Sequence, residues 1–233
     1  MKINILLCDT FDGQLPENVP EYVYLFRQLF GKLDNNISYE IFDVRNDIYP
    51  ASLRGDELYL IPGGMASAYD NAQWVKTLIE FIRTMYSESV KMAGVCFGHQ
   101  IIAQALGGRV EQARQGWGTG VRSSEIVDPK ALTFFPEGQM SLLYNHHDQV
   151  VELPPHARCF ARSEFCSVDG FYIGDNIVTF QGHPEYTPEY SRYQLVNHSA
   201  GEPEDVITKA LTSLNRKTDS LAAAKWLADL ARR

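Results

Sequence analysis

The chain has 233 residues, of which 45% are hydrophobic and 12% aromatic; that is enough for one α/β domain with a substantial core and excludes a disordered chain. Twenty-one basic against twenty-nine acidic residues leave a net charge of −8, which argues against a nucleic-acid groove. No apolar run approaches the ~20 residues of a membrane span, and the run at residues 3–8 is too short for a signal peptide, so a soluble, cytoplasmic protein is expected.

Residues 2–8 read as a buried strand, left by the loop Asp9-Thr10-Phe11-Asp12-Gly13. Residues 19–33 carry Val23, Phe26, Leu29, Phe30 and Leu33 at helical spacing. Residues 38–44 are strand-like, and residues 57–61 form a short strand ending in Pro62-Gly63-Gly64. Residues 72–86 are an amphipathic helix with Trp74, Leu78, Ile79, Ile82 and Met85 on one side. Residues 92–95 give another strand, and 101–106 a helix closed by Gly107-Gly108. This alternation predicts a parallel sheet wrapped by helices on both faces, with chemistry collecting beyond the carboxyl ends of its strands.

From residue 108 the character changes. Residues 110–113, 120–127, 141–145, 158–162 and 170–173 are short, turn-punctuated strands. They predict a small antiparallel β layer folded onto the first half. Residues 176–180 are the last buried strand, and helices are predicted at 188–198, 203–214 and 221–230. No linker or repeat interrupts the chain. The expectation is a single domain over 1–233: α/β, with a flavodoxin-like mixed, mostly parallel central sheet and C-terminal helices from about 203.

Two segments carry chemistry. Gly94-Val95-Cys96-Phe97-Gly98 sits between predicted strand and helix, the setting of a nucleophile elbow in its thiol form. The glycines let the backbone turn where a Cβ would clash, and the sulfur stands where a helix N-terminus favours negative charge. The other cysteines, Cys8, Cys159 and Cys166, make no Cys-x-x-Cys and no metal-finger spacing, and reduced thiols are the default for a chain of this size. Of six histidines, His183 leaves a buried strand in Gly182-His183-Pro184-Glu185. Pro184 pushes it into extended chain, where positions i and i+2 share a side. Glu185 then lies near the ring and can fix its tautomer. His99 is too close in sequence to Cys96 to act as its base. His146 and His147, adjacent in a strand, point to opposite faces, so no metal is expected, nor any other cofactor.

Pro62-Gly63-Gly64, Gly94-Val95-Cys96-Phe97-Gly98-His99-Gln100 and Gln181-Gly182-His183-Pro184-Glu185 resemble, in order, the three signature segments of the class I (triad) glutamine amidotransferase family. The resemblance covers nearly the whole chain. Asn145-His146-His147-Asp148-Gln149-Val150 with Leu153-Pro154, and Ser67-Ala68-Tyr69-Asp70 running into Trp74, resemble its GMP-synthase-like branch. Gly116-Trp117-Gly118 looks like a family loop near the pocket, and a buried tryptophan turn explains it as well.

The resemblance implies that Cys96 attacks the amide carbon of a γ-glutamyl substrate. His183 would take the thiol proton and hand it to the leaving ammonia or amine, and Glu185 would orient His183. The N–H groups of Gly64 and Phe97 would form the oxyanion hole. Gln100 would bind the α-amino-acid end, with the backbone around Asn145, His146 and His147 completing that pocket. Water would then release glutamate from the thioester. Met65-Ala66 departs from relatives that often carry Pro or Tyr there, which bears on the acceptor side and not on the triad. Since no ATP pyrophosphatase or synthase segment is visible, the expected function is free-standing hydrolysis of glutamine or a γ-glutamyl peptide. The alternatives are a glutaminase subunit feeding ammonia to a separate synthetase partner, and a non-catalytic binding or regulatory module on the same fold. The intact set of Cys96, His183 and Glu185 argues against the last.

Overall fold

A computed structural model describes residues 1–9, 22–197 and 202–232. Most of the loop predicted after the first strand, the start of the helix predicted from residue 19, and His198 lie outside the described residues. Strand β1 (Lys2–Leu7) is buried over its four interior residues. It pairs in parallel with β2 (Ser38–Asp43) on one side and β3 (Leu58–Ile61) on the other. β4 (Lys91–Val95) pairs with β3, and β11 (Ile177–Phe180) pairs with β4, again in parallel. The strand order therefore reverses between β1 and β3, where a crevice opens at the carboxyl ends.

Helices cover both faces. On one face, α1 (Tyr22–Gly31) buries Leu25, Phe26, Leu29 and Phe30. On the other, α2 (Gln73–Ser87) turns Val75, Leu78, Ile82 and Met85 inward, with Trp74 and Ile79 half-buried at the edges of that stripe. Beside it α3 (Phe97–Ala105) is buried nearly all round, which is why its sequence shows little amphipathic pattern.

The mixed central sheet and a small antiparallel sheet are present as expected, but most strands of the second half do not form a second layer. β5 (Arg109–Gln112) pairs with β8 (Asp148–Glu152) in a separate two-stranded antiparallel sheet. β6 (Gly118–Ile126), β7 (Gln139–His146), β9 (Ala157–Arg162) and β10 (Gly170–Ile173) do not stack on the first half. They extend its sheet edgewise, giving nine strands in the order β2-β1-β3-β4-β11-β10-β9-β6-β7. The pairings from β2 to β11 are parallel and those from β11 to β7 antiparallel. The cause is the tight hairpin between β10 and β11, whose Gly174 takes φ 55°; it forces β10 into the plane of its partner. A short α4 (Pro129–Leu132), capped by the Asp128 carboxylate, joins β6 to β7.

The chain ends in α5 (Pro188–Asn197), α6 (Glu204–Ser213) and α7 (Ser220–Arg232). No helix among the described residues is long and apolar enough to cross a membrane. α7 is part of the core: its Trp226 is 2% exposed and meets the rings of Phe160 at 4.5 Å, Phe134 at 4.9 Å and Phe180 at 6.0 Å. Truncating a ring so enclosed leaves a cavity the sheet cannot close. Trp226→Ala is expected to lose about 3–5 kcal/mol of stability, read from the midpoint of urea denaturation; a loss under about 1 kcal/mol would mean α7 is not integral to the fold.

Candidate active site

Cys96 is the hinge between β4 and α3, with φ 51° and ψ −104°. A residue with a Cβ held there costs about 1–3 kcal/mol of local strain, which the surroundings must impose. The Cys96 N–H donates to the Phe180 carbonyl at 2.8 Å, and the Cys96 carbonyl accepts from Gln100 N–H at 3.0 Å. The flanking glycines serve close approach, because neither takes a positive φ. A Cβ on Gly94 would lie 2.6 Å from the Gly98 carbonyl oxygen, and one on Gly98 would collide with the Ile61 carbonyl. Gly98 N–H donates to the Pro62 carbonyl at 3.1 Å, so the loop after β3 is stitched to the first turn of α3.

His183 follows β11, and its N–H donates to the Leu143 carbonyl of β7 at 2.7 Å. The ring is buried. Its Nδ1 is 2.7 Å from Glu185 Oε1, and since a carboxylate only accepts, Nδ1 carries a proton. Tyr186 stacks on the ring at 3.8 Å and 12°. Nε2 has no hydrogen-bond partner among the described residues and is turned towards Cys96, whose charge acts on it. A Cβ built on Gly63 would lie 2.9 Å from His183 Cε1 and 3.6 Å from Cys96 Cβ, so all three meet around one point. Burial by itself pushes the imidazole down, but the negative charges of Glu185 and Cys96 outweigh it and raise His183 to about 10.

Tyr22 belongs to this cluster and reads from sequence as one more apolar position of a helix. Its hydroxyl donates to Glu185 Oε1 at 2.9 Å and accepts from Gly63 N–H at 2.8 Å. One phenol thus ties the carboxylate beside His183 to the loop after β3, and the partners are too far apart in sequence for any local pattern to reveal the tie.

A cavity of about 430 Å³ opens over Cys96 and His183. Gly63, Gly64, Gln100, Asn145, His146 and His147 all line it. Gly98 and Gly63 have committed their N–H groups, whereas those of Phe97 and Gly64 have no partner among the described residues. Gln100 donates from Nε2 to the Asp148 carbonyl at 2.8 Å and to Gln181 Oε1 at 3.1 Å, which leaves its own oxygen to face the cavity. His146 Nδ1 lies 3.0 Å from the Asp148 carbonyl, and burial lowers this histidine to about 3, so it is neutral and Nδ1–H donates. His147 stacks on Trp117, 5.2 Å away at 20°, on the cavity wall. His99 stands apart, bonded to the Thr179 hydroxyl at 2.8 Å and likewise lowered to about 3 by burial. Among the described residues no group of three His, Cys, Asp or Glu is placed to hold a metal ion.

The model of the class I glutamine amidotransferase family matches residues 17–200. The chain belongs to that family, whose members include hydrolase-type enzymes. It is 32% identical to γ-glutamyl peptidase 3 of Arabidopsis thaliana over 176 residues, covering 72% of this chain and 70% of the relative. To γ-glutamyl peptidase 2 of the same plant it is 32% identical over 202 residues, covering 84% and 81%. Its fold is that of a glutamine amidotransferase from Thermotoga maritima, with TM-score 0.77, 19% identity, and 100% and 98% of the two chains covered.

Two outcomes are expected from the cluster. Tyr22→Phe strands the Gly63 N–H and removes a donor from Glu185; it should lower stability by about 1–3 kcal/mol in chemical denaturation, and an unchanged midpoint would count against the tie. A raised histidine keeps its proton, and the stability that goes with it, below the ordinary 6.5; both are lost as pH rises towards about 10. In Glu185→Gln the main raising charge is gone, so the NMR titration of the His183 ring should move to lower pH. Coincident titrations would show that Glu185 does not set it.

Proposed function

We propose that this chain hydrolyses a γ-glutamyl amide, glutamine or a γ-glutamyl peptide, through a thioester on Cys96. The observation that carries the reading is the unpartnered Nε2 of His183 beside Cys96, with Nδ1 held by Glu185. The relatives named γ-glutamyl peptidase support it.

In the first half-reaction the Cys96 sulfur bonds to the γ-carbonyl carbon while the thiol proton resides on His183 Nε2. The carbonyl oxygen becomes an oxyanion between the N–H groups of Phe97 and Gly64, donors of a kind worth about 3 kcal/mol each when removed from other enzymes. The C–N bond then breaks, and the His183 proton leaves with the ammonia or amine. In the second half-reaction a water gives its proton to His183 and attacks the thioester. Breaking the C–S bond returns the proton to sulfur and frees glutamate. Glu185 keeps the ring in the one tautomer that presents Nε2 to sulfur. The oxygen of Gln100 receives the substrate's α-ammonium, and the backbone around Asn145, His146 and His147 receives its α-carboxylate. Because His146 is neutral at ordinary pH, hydrogen bonds and not charge would fix that end. The four unpaired cysteines suit a reducing compartment such as the cytoplasm.

Purified protein given glutamine and γ-glutamyl dipeptides should release glutamate, and Cys96→Ala should reduce release by at least about a thousandfold. A glutamine-like chloroketone should add its mass to Cys96 and to no other cysteine. Undiminished turnover in Cys96→Ala would refute the mechanism. Glutamate formed only when a second protein is added would favour ammonia delivery to a separate synthetase.

A further inference from the structure

The γ-glutamyl group and the amine that leaves it need different parts of the cavity. Gln100 and residues 145–147 mark the part for the γ-glutamyl group. The part for the amine begins at His183, whose Nε2 supplies the departing proton. Tyr186 stacks on that ring at 3.8 Å, and Tyr190 meets Tyr186 at 4.7 Å. Gln194, one turn further along α5, donates from Nε2 to the Tyr190 hydroxyl at 2.9 Å. Tyr186, Tyr190 and Gln194 all line the cavity, and so does Asp9.

Asp9 is fixed relative to the reacting carbon from two directions. Its Oδ2 accepts from the Met65 N–H at 3.0 Å, and Met65 directly follows Gly64, the oxyanion donor. Two hydrogen bonds of about 3 Å and one residue step put the carboxylate within roughly 10 Å of the oxyanion. Its charge also acts through space on Tyr186 and Tyr190, the rings that continue from His183. Gln194 is 5% exposed, and with Nε2 given to Tyr190 its Oε1 has no hydrogen-bond partner among the described residues. No lysine or arginine lines the cavity among those residues. Residues 10–21, which join Asp9 to Tyr22, contain the acids Asp12, Glu17 and Glu21 and no lysine or arginine. A carboxylate beside an amide oxygen repels a leaving group that carries a carboxylate and receives one that carries an ammonium.

We propose that Asp9 and Gln194 form the subsite for the leaving amine, and that the preferred substrate is a γ-glutamyl amide of a diamine. The inference rests on the hydrolase reading above and narrows its substrate class. A chain of four or five bonds advances roughly 1.3 Å per bond, and a final hydrogen bond adds about 3 Å. The second amino group of a short diamine therefore reaches about 8–9 Å, commensurate with the limit set for Asp9. Glutamine, whose leaving group is ammonia, leaves the subsite empty. The reaction is unchanged: the γ-amide C–N bond breaks, and the departing diamine carries away the His183 proton.

The test compares the γ-glutamyl amides of 1,3-diaminopropane, propylamine and β-alanine, which end in an ammonium, a methyl and a carboxylate group at similar reach. In the wild type kcat/KM should be highest for the diamine and lowest for β-alanine, a spread of about tenfold or more lying in KM. Asp9→Asn keeps an acceptor for the Met65 N–H and removes the charge, so the spread should fall to near one; Asp9→Glu should keep part of it. Gln194→Leu should raise KM for the diamine more than for the propylamide. Equal values for the three amides in the wild type, or a preference for β-alanine, would overturn the subsite. An ammonium preference that comes only from the chain's net charge of −8 survives in Asp9→Asn and would overturn it too. A variant that merely folds badly slows all three together, preserves the spread, and counts against it. If the wild type leaves glutamine and all three amides intact, the hydrolase reading fails and takes the subsite with it; hydrolysis without ammonium preference removes the subsite alone.

Discussion

The arrangement depends on a charged pair sealed inside the protein. The His183 and Glu185 side chains are 2% and 0% exposed, and a pair so buried is costly unless its remaining polar atoms are met. Here the Tyr22 hydroxyl gives Glu185 Oε1 a second donor and Tyr186 covers the face of the ring, while Glu185 Oε2 has no hydrogen-bond partner among the described residues. The same burial that makes the pair expensive makes it directional, because with water removed Nδ1 has one acceptor and Nε2 one neighbour. Tyr22 extends the constraint further by accepting from Gly63, so that carboxylate, imidazole and the loop after β3 are held as one unit.

Sheet register delivers the two halves of the site to one place. Parallel pairing of β4 with β11 sets Gly94 opposite Thr179 and Val95 opposite Phe180. The next residue of one strand is Cys96, and three beyond Phe180 on the other is His183. The bridge from His183 to Leu143 then draws in the end of β7, and with it Asn145 to His147. A slip of one residue at either pairing would turn these side chains to the wrong face. Strain at Cys96 is tolerated for the same reason: its N–H is tied to β11 and its carbonyl to α3, and both are rigid.

The antiparallel extension gives this chain a feature the parallel half lacks. β9 pairs with β6 only at Glu125 and Ile126. The rest of that edge of β6 is left to α6, whose Ser213 receives the Val121 N–H at 2.8 Å, and to the segment around Phe165. A cleft of about 1230 Å³ lies along this incompletely paired edge, next to the cavity and sharing Trp117 with it.

Much of this was written locally. The alternation of strands and helices through residue 106, the strand–Cys96–helix junction, and the proximity of Glu185 to His183 across Pro184 all follow from spacing over a few residues. Steric rules and periodicity act over that range, so the sequence alone determined them. Other features had no local signature. Alternating strands look alike whether they stack on a sheet or extend it, and only the β10–β11 hairpin made β6, β7, β9 and β10 part of one nine-stranded sheet. β8 was hidden among the polar residues Asp148 and Gln149. Tyr22 looks in sequence like a core aromatic; what sets it apart is the pair of partners, Glu185 and Gly63, brought near it. Such pairings are made between segments distant in the chain, and burial then fixes their strength, so tertiary structure alone could decide them.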